Sequence, residues 1–150
     1  MTKLWGPIVW SFFHIYAQQI NPVFFKNNTK MCLNVINDIC QSLPCPICTD
    51  HAKQFLKNYN FNSIKTKEQL ILFLFKFHND VNIRTKKRLF TLEELEIYKR
   101  GKILKITDRM YKELSKPLRN DNFILGMFKS MSGKSAHTFV NKYQQFFTKV

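Results

Sequence analysis

Residues 66–84 read TKEQLILFLFKFHNDVNIR. Thr66 followed three residues later by Gln69 is a capping-box pattern, in which hydroxyl and side-chain amide satisfy backbone groups that the first helical turn leaves without partners. The pattern predicts a long, strongly apolar helix over about 67–84. Its apolar centre, residues 70–77, is only eight residues long, whereas a helix crossing a bilayer needs about 20. The segment therefore reads as part of a core.

The same logic extends in both directions. Pro46 opens a helix that reaches about Tyr59. A helix over about 28–42 carries Met31, Val35, Ile36, Ile39 and Leu43 at three- and four-residue steps and is stopped by Pro44. Pro7 suits the first turn of a helix running to about Gln19, with Val9, Trp10, Phe13, Ile15 and Tyr16 forming a broad apolar face. Downstream, Thr91 and Glu94 form a second capping box for a short fifth helix. No β alternation of useful length appears. Short connections between successive amphipathic helices predict an all-α antiparallel bundle.

The chain has 150 residues, 45% of them hydrophobic, with fifteen Phe. That suffices for one core-forming domain, read as residues 1–100, and a basic, helical C-terminal extension over 101–150. The formal charge is +14, from 24 Lys and Arg against 10 Asp and Glu. Residues 100–150 hold eleven of the cations and three of the carboxylates. Such a balance draws a protein towards polyanions. Ser11, His14 and Gln18 interrupt the apolar N-terminus, and no small-residue cleavage site follows, so neither signal peptide nor membrane span is expected. The expected location is a cytoplasm-like compartment, where a Cys-x-x-Cys is more often catalytic or metal-binding than a structural disulfide. GMFKSMSGKS (126–135) is not a phosphate loop, because six residues separate its glycines where that motif requires four. HTFVNKYQQFFTKV (137–150) reads as an extra helix, either solvated or packed on the bundle, or as a contact for acidic partners or nucleic acid.

LPCPICTDH (43–51) supplies the Cys-x-x-Cys. On spacing alone, three readings stand: a redox pair, half of a zinc site, or an inert structural pair. With Cys45 at a helix N-cap, unpaired N–H groups and the dipole would stabilise a thiolate there and make Cys45 the nucleophile, with Cys48 shielded one turn further in. A Cys₃His zinc site could draw on Cys40, Cys45, Cys48 and His51, but no second knuckle follows. Cys32 and Cys40 are eight residues apart on one predicted helix, about 12 Å by helical rise, too far to bridge each other. They read as small buried hydrophobes.

Trp10 and His14 stand at i, i+4 on the first predicted helix, and His78 and Asn82 at i, i+4 on the fourth. Together with the Cys-x-x-Cys they would line a polar and aromatic cavity suited to a planar cofactor. The series WGPIVWSFFH (5–14), LPCPIC (43–48) and HNDVN (78–82) resembles the flavin-linked sulfhydryl oxidases of the Erv/ALR family. It is most similar to the short forms of large cytoplasmic DNA viruses such as African swine fever virus.

The resemblance implies a four-helix bundle with a short fifth helix and FAD as cofactor. By position, Trp10 and His14 match family residues that pack FAD, and His78, Asn79, Val81 and Asn82 match its cofactor segment. Lys87, with Lys86 as the near alternative, falls where the family places a phosphate-contacting base, and Tyr98 where it has an aromatic against adenine. The resemblance further implies that Cys45 and Cys48 are catalytic. They would pass electrons from protein thiols to FAD and then to O₂, giving H₂O₂, in a viral disulfide relay at host-cytoplasmic assembly sites or in the virion. The implied donor is a thioredoxin-like or other Cys-x-x-Cys protein, because no second Cys-x-x-Cys exists in the chain. A homodimer is implied as well. The alternative from a different class is a small basic zinc-binding helical module whose tail contacts nucleic acid.

Overall fold

The computed structural model describes residues 4–116 and 123–148, with side chains described outside 123–132. Five α-helices lie in the first hundred residues: α1 Trp5–Gln19, α2 Pro22–Asn27, α3 Thr29–Cys40, α4 Pro46–Asn58 and α5 Lys67–Arg84. A 3₁₀ segment, Glu93–Arg100, follows, then α6 Ile103–Leu114 and α7 Phe123–Lys142. Among the described residues the sole extended pairing is one isolated antiparallel bridge, Ile20 to Phe147. The fold is all-α.

α5 takes the bounds its capping box predicts. The Thr66 hydroxyl accepts from the Gln69 N–H at 3.2 Å, and the Gln69 carbonyl oxygen accepts from the Thr66 N–H at the same distance. Leu70, Phe73, Leu74 and Phe77 are buried at helical spacing, whereas Leu72 is about half exposed. The near-continuous apolar run is thus amphipathic once coiled.

Two local readings are corrected. Asn21 caps a separate short helix, α2, by accepting from Val23 and Phe24 N–H at 3.0 and 2.9 Å; Asn21-Pro22 is a good helix start, but six residues carry too little periodicity to stand out. The fifth helix expected after Thr91 is a 3₁₀ segment. Its capping box does form, with Thr91 N–H donating to Glu94 at 2.7 Å and Glu94 N–H to Thr91 at 3.4 Å.

α1 is the central helix, packed against α5, the 3₁₀ segment and α6. α7 lies against α3 and α6. Phe12, Tyr16, Ile20, Ile36, Leu70 and Leu74 from the first hundred residues, and Met110 and Leu114 from α6, are all fully buried. Ala136, Phe139, Val140 and Phe147 join the same apolar cluster. Burying each large side chain contributes about 1.5–3 kcal/mol. The Tyr16 hydroxyl donates to the Cys32 carbonyl at 2.8 Å, so the polar atom of this fully buried ring is satisfied. Gly101 turns the chain into α6 against Ile15, so closely that a Cβ there would clash with two Ile15 side-chain carbons. The 126–133 stretch lies within α7 as continuous helix, and residues 137–142 are the end of that helix, packed on the bundle. No helix among the described residues is long and apolar enough to cross a membrane.

Candidate active site

Leu43 and Pro44 bring the chain from α3 into the Cys-x-x-Cys. Cys45 is the N-cap of α4 in extended conformation, and Pro46 occupies the first helical position, where its missing N–H costs nothing. The Cys45 sulfur accepts from the Cys48 N–H at 3.2 Å, satisfying one of the N–H groups that the helix start leaves without a partner. Both cysteines are half-buried thiols. Burial, with Cys45 beside it, pushes the Cys48 thiol up to about 11.

Cys48 stands in the wall of a cavity of about 430 Å³. The entry turn of α1 (Trp5, Gly6, Pro7) forms one end, and Trp10 and Phe13 of the same helix continue the wall. α5 supplies Phe77, His78, Val81, Asn82 and Arg84, Cys40 comes from the end of α3, and Leu43, Ile47, His51, Lys87 and Tyr98 are among the remaining lining residues. The cavity is thus largely aromatic and apolar, with two cations and two thiols, Cys40 and Cys48, in its lining.

Five rings form a stacked group beside it. Trp10 and His78 are almost parallel, their centroids 4.2 Å apart. His14 stacks on Tyr98 at 4.8 Å, and Phe90 lies 5.6 Å from His14 and 5.3 Å from His78. His14 Nε2 and His78 Nδ1 are 2.9 Å apart, so one imidazole donates to the other. Burial lowers both: His14 to about 3, with His78 adding to the effect, and His78 to about 4, with Lys87 adding to it. At neutral pH both rings are uncharged, and one offers an N–H to the bare nitrogen of the other. An imidazole held neutral in the folded state binds its proton more readily once the chain unfolds, so stability is lost on acidification. Urea midpoints measured from pH 7 downward are expected to fall progressively from about pH 6.5, and His14→Phe is expected to flatten part of that dependence.

Asn79 and Lys86 do not line the cavity; they fix the chain that runs beside it. Asn79 brackets the backbone of Phe90, donating to its carbonyl at 2.9 Å and accepting from its N–H at 2.7 Å. The C-terminus of α5 closes in a Schellman motif: Lys86 N–H donates to the Ile83 carbonyl at 3.2 Å and Lys87 N–H to the Asn82 carbonyl at 2.8 Å. That motif places Lys86 in the left-handed region, at φ 56°, where glycine is usual, and carries Lys87 to the cavity wall. Lys86→Gly is therefore expected to stabilise the fold by roughly 1 kcal/mol, measured by chemical denaturation.

Trp10, His78, Val81, Asn82, Lys87, Tyr98 and Cys48 meet at one cavity, with His14 directly behind it and Cys45 at the helix cap beside it. Sequence reasoning passed over Arg84 and Phe90. Arg84 is two residues beyond the HNDVN motif on the same helix, where it pairs with Asp80 at 3.0 Å, and that proximity was a usable signal. Phe90 had none, because its place is set by Asn79 across a turn. The zinc alternative needs Cys40, Cys45, Cys48 and His51 to converge, yet no three His, Cys, Asp or Glu among the described residues form a metal-holding group. Cys40 and Cys32 are fully buried, and burial raises their thiols to about 12 and about 11.

The model of the Erv1 / Alr family matches residues 7–101. The chain is 36% identical over 86 residues to protein 096R of Invertebrate iridescent virus 3, covering 57% of this chain and 58% of that relative. It is 33% identical over 94 residues to protein 347L of Invertebrate iridescent virus 6, covering 57% and 83%. To a protein of a Kenyan pig isolate of African swine fever virus it is 32% identical over 106 residues, covering 67% and 84%. The names of all three class them with the FAD-linked sulfhydryl oxidases. The chain thus spans rather more than half of the first relative and over four-fifths of the other two. No solved structure matches it significantly. With the family match running from the first turn of α1 to the end of the 3₁₀ segment and including all of the cavity lining but Trp5 and Gly6, the chain belongs to the Erv1 / Alr family.

Proposed function

We propose that this protein is an FAD-dependent thiol oxidase that forms disulfides in protein substrates. The observation that carries the reading is the position of Cys48 on the wall of a cavity that also holds Trp10, Phe77, Tyr98 and Lys87. A planar ring system fits the aromatic and apolar side, and a pyrophosphate fits the two cations, Arg84 and Lys87. FAD, when bound, supplies a two-electron acceptor that O₂ reoxidises with formation of H₂O₂.

The chain's own residues do the sulfur chemistry. With Cys45 and Cys48 as a disulfide, a substrate thiolate attacks the Cys45 sulfur and displaces the Cys48 thiolate, forming a mixed disulfide. A second substrate thiol attacks the substrate sulfur of that bond and releases Cys45. Two substrate thiols have then become one disulfide, and two electrons rest on the Cys45–Cys48 dithiol. Half exposure at the N-cap suits Cys45 to the exchange, and contact with the cavity suits Cys48 to electron delivery. The neutral His14–His78 pair and Asn79 hold the wall in shape, and Lys87 orients the anionic part of the cofactor. A viral disulfide relay, a thioredoxin-like donor and a homodimer belong to the same proposal.

The test is an absorbance spectrum of the purified protein, followed by oxygen-electrode recording after addition of dithiothreitol. A flavin band that bleaches while oxygen is consumed and returns when the thiol is exhausted is the expected result. A colourless protein that cannot be loaded with FAD and consumes no oxygen overturns the reading.

A further inference from the structure

A second cavity, of about 600 Å³, lies between α1 and α6. Its walls carry Lys102, Lys105, Arg109 and Lys112, which succeed one another at steps of three and four residues and so share one helical face. Asp108 is its sole carboxylate, paired with Lys112 at 2.9 Å. Lys102, Lys105 and Arg109 have no carboxylate partner among the described residues, and all three are exposed. Ile15 and Ile106 make an apolar floor, and Ser11 of α1 lines this groove and the Cys48 cavity alike. The cationic groove and the Cys48 cavity therefore share the wall at Ser11, and the cations stand on an element that the family match does not include.

We propose that this groove docks an acidic segment of the protein whose thiols are oxidised at Cys45. This inference rests on the thiol-oxidase reading and adds the chemistry of the donor. Lys102 and Lys112 are separated by about 15 Å along the helix at 1.5 Å per residue, the length of four or five extended residues at about 3.3 Å each. A short run of Asp or Glu thus matches the spacing of the cations. The apolar floor takes the carbon stems of such a segment. Nucleic acid is the poorer match, because no aromatic side chain lines the groove and single strands gain much of their affinity by stacking bases on aromatic rings. A docked segment would also make up for the absence of a second Cys-x-x-Cys, since it holds the donor's dithiol near Cys45 and raises its local concentration.

The test uses the full chain loaded with FAD and two synthetic dithiol peptides. Both carry the same Cys-x-x-Cys; one ends in five Asp and the other in five Ser. The expected result is a kcat/KM about 10-fold higher for the Asp peptide at low salt, a gap that closes at 1 M salt as charges are screened. In the double variant Lys105→Glu with Arg109→Glu, both positions being exposed, the Asp peptide should lose that advantage while dithiothreitol is oxidised at the wild-type rate. Equal rates for the two peptides on the wild-type protein, or an advantage that survives in the double variant, would overturn the proposal. So would a single-stranded oligonucleotide that binds through Lys105 and Arg109 while the peptides are treated alike.

Fluorescence anisotropy with Ser-substituted copies of both peptides reads docking without turnover. Preferential binding of the Asp form, lost in the double variant, in a protein that oxidises no thiol would sink the oxidase reading and the donor role while leaving an acidic-peptide groove. Oxidation of dithiothreitol without any peptide preference would sink the groove alone.

Discussion

Cys48→Ser is expected to lower dithiol-driven oxygen consumption by about 10³-fold or more while FAD stays bound. Serine cannot form the S–S bond that stores the two electrons, so exchange stops before the cofactor is reached. The side chain stands at the cavity edge, half-buried, and the hydroxyl preserves its size, so Trp10, Tyr98 and Lys87 keep their places. Cys45→Ser is expected to have the same effect for a different reason, since it removes the sulfur that the substrate attacks. Cys32→Ser is the control. Its thiol is fully buried, outside the cavity lining, and raised by burial to about 11, so at neutral pH it is protonated and shut off from substrate. Its replacement should alter stability and leave turnover within a few-fold of the wild-type rate. Retained oxidation in either Cys45→Ser or Cys48→Ser would refute the roles given to the pair.

Ending the chain after Arg100 is expected to cost the protein its cooperative unfolding and its FAD. Without α6 and α7, the core loses Met110, Leu114, Phe139 and Phe147, all buried, and Tyr16, which packs on the last two, would meet solvent. Losing the burial of four such side chains costs about 1.5–3 kcal/mol each, comparable in sum with the 5–15 kcal/mol by which a whole domain is stable. Circular dichroism during thermal melting, together with the flavin-to-protein absorbance ratio, measures both effects. A truncated protein that melts cooperatively and purifies with FAD would show that residues 1–100 stand as a domain by themselves.

The parts of the fold that were legible in the sequence are those governed by neighbours within a few residues. α5 follows from Thr66 and Gln69, α4 from Pro46, and the cap at Cys45 from the proline after it. What the sequence concealed is set by distant contacts. α7 shows no separate signal for the face it turns to α3, because Phe139 and Val140 look the same in a solvated amphipathic helix and in a packed one. At the site, Trp10, His14, His78 and Tyr98 are spread over nearly ninety residues, and only shared chemistry linked them in advance of their stacking. Asn79 reads as a motif residue that could face a ligand or the chain itself; its two hydrogen bonds to Phe90 engage it with the chain. The turn at Lys86 was equally hidden, since a lysine with positive φ has no compositional mark where a glycine would have had one.

The pairing of the end of α1 with residues 146–148 has a consequence for biosynthesis. Asn21 N–H donates to the Phe146 carbonyl at 2.7 Å, and Thr148 N–H to the Gln19 carbonyl at 2.9 Å, so an early part of the chain is completed by a late one. On a ribosome adding about 5–20 residues per second, the stretch between those partners takes roughly 6–26 s to make. Until it ends, the nascent chain carries Tyr16 and Phe24 without their late partners, Phe147 beside Tyr16 and Phe146 stacked on Phe24. The contacts that close the end of α1 therefore form only after synthesis has passed Thr148.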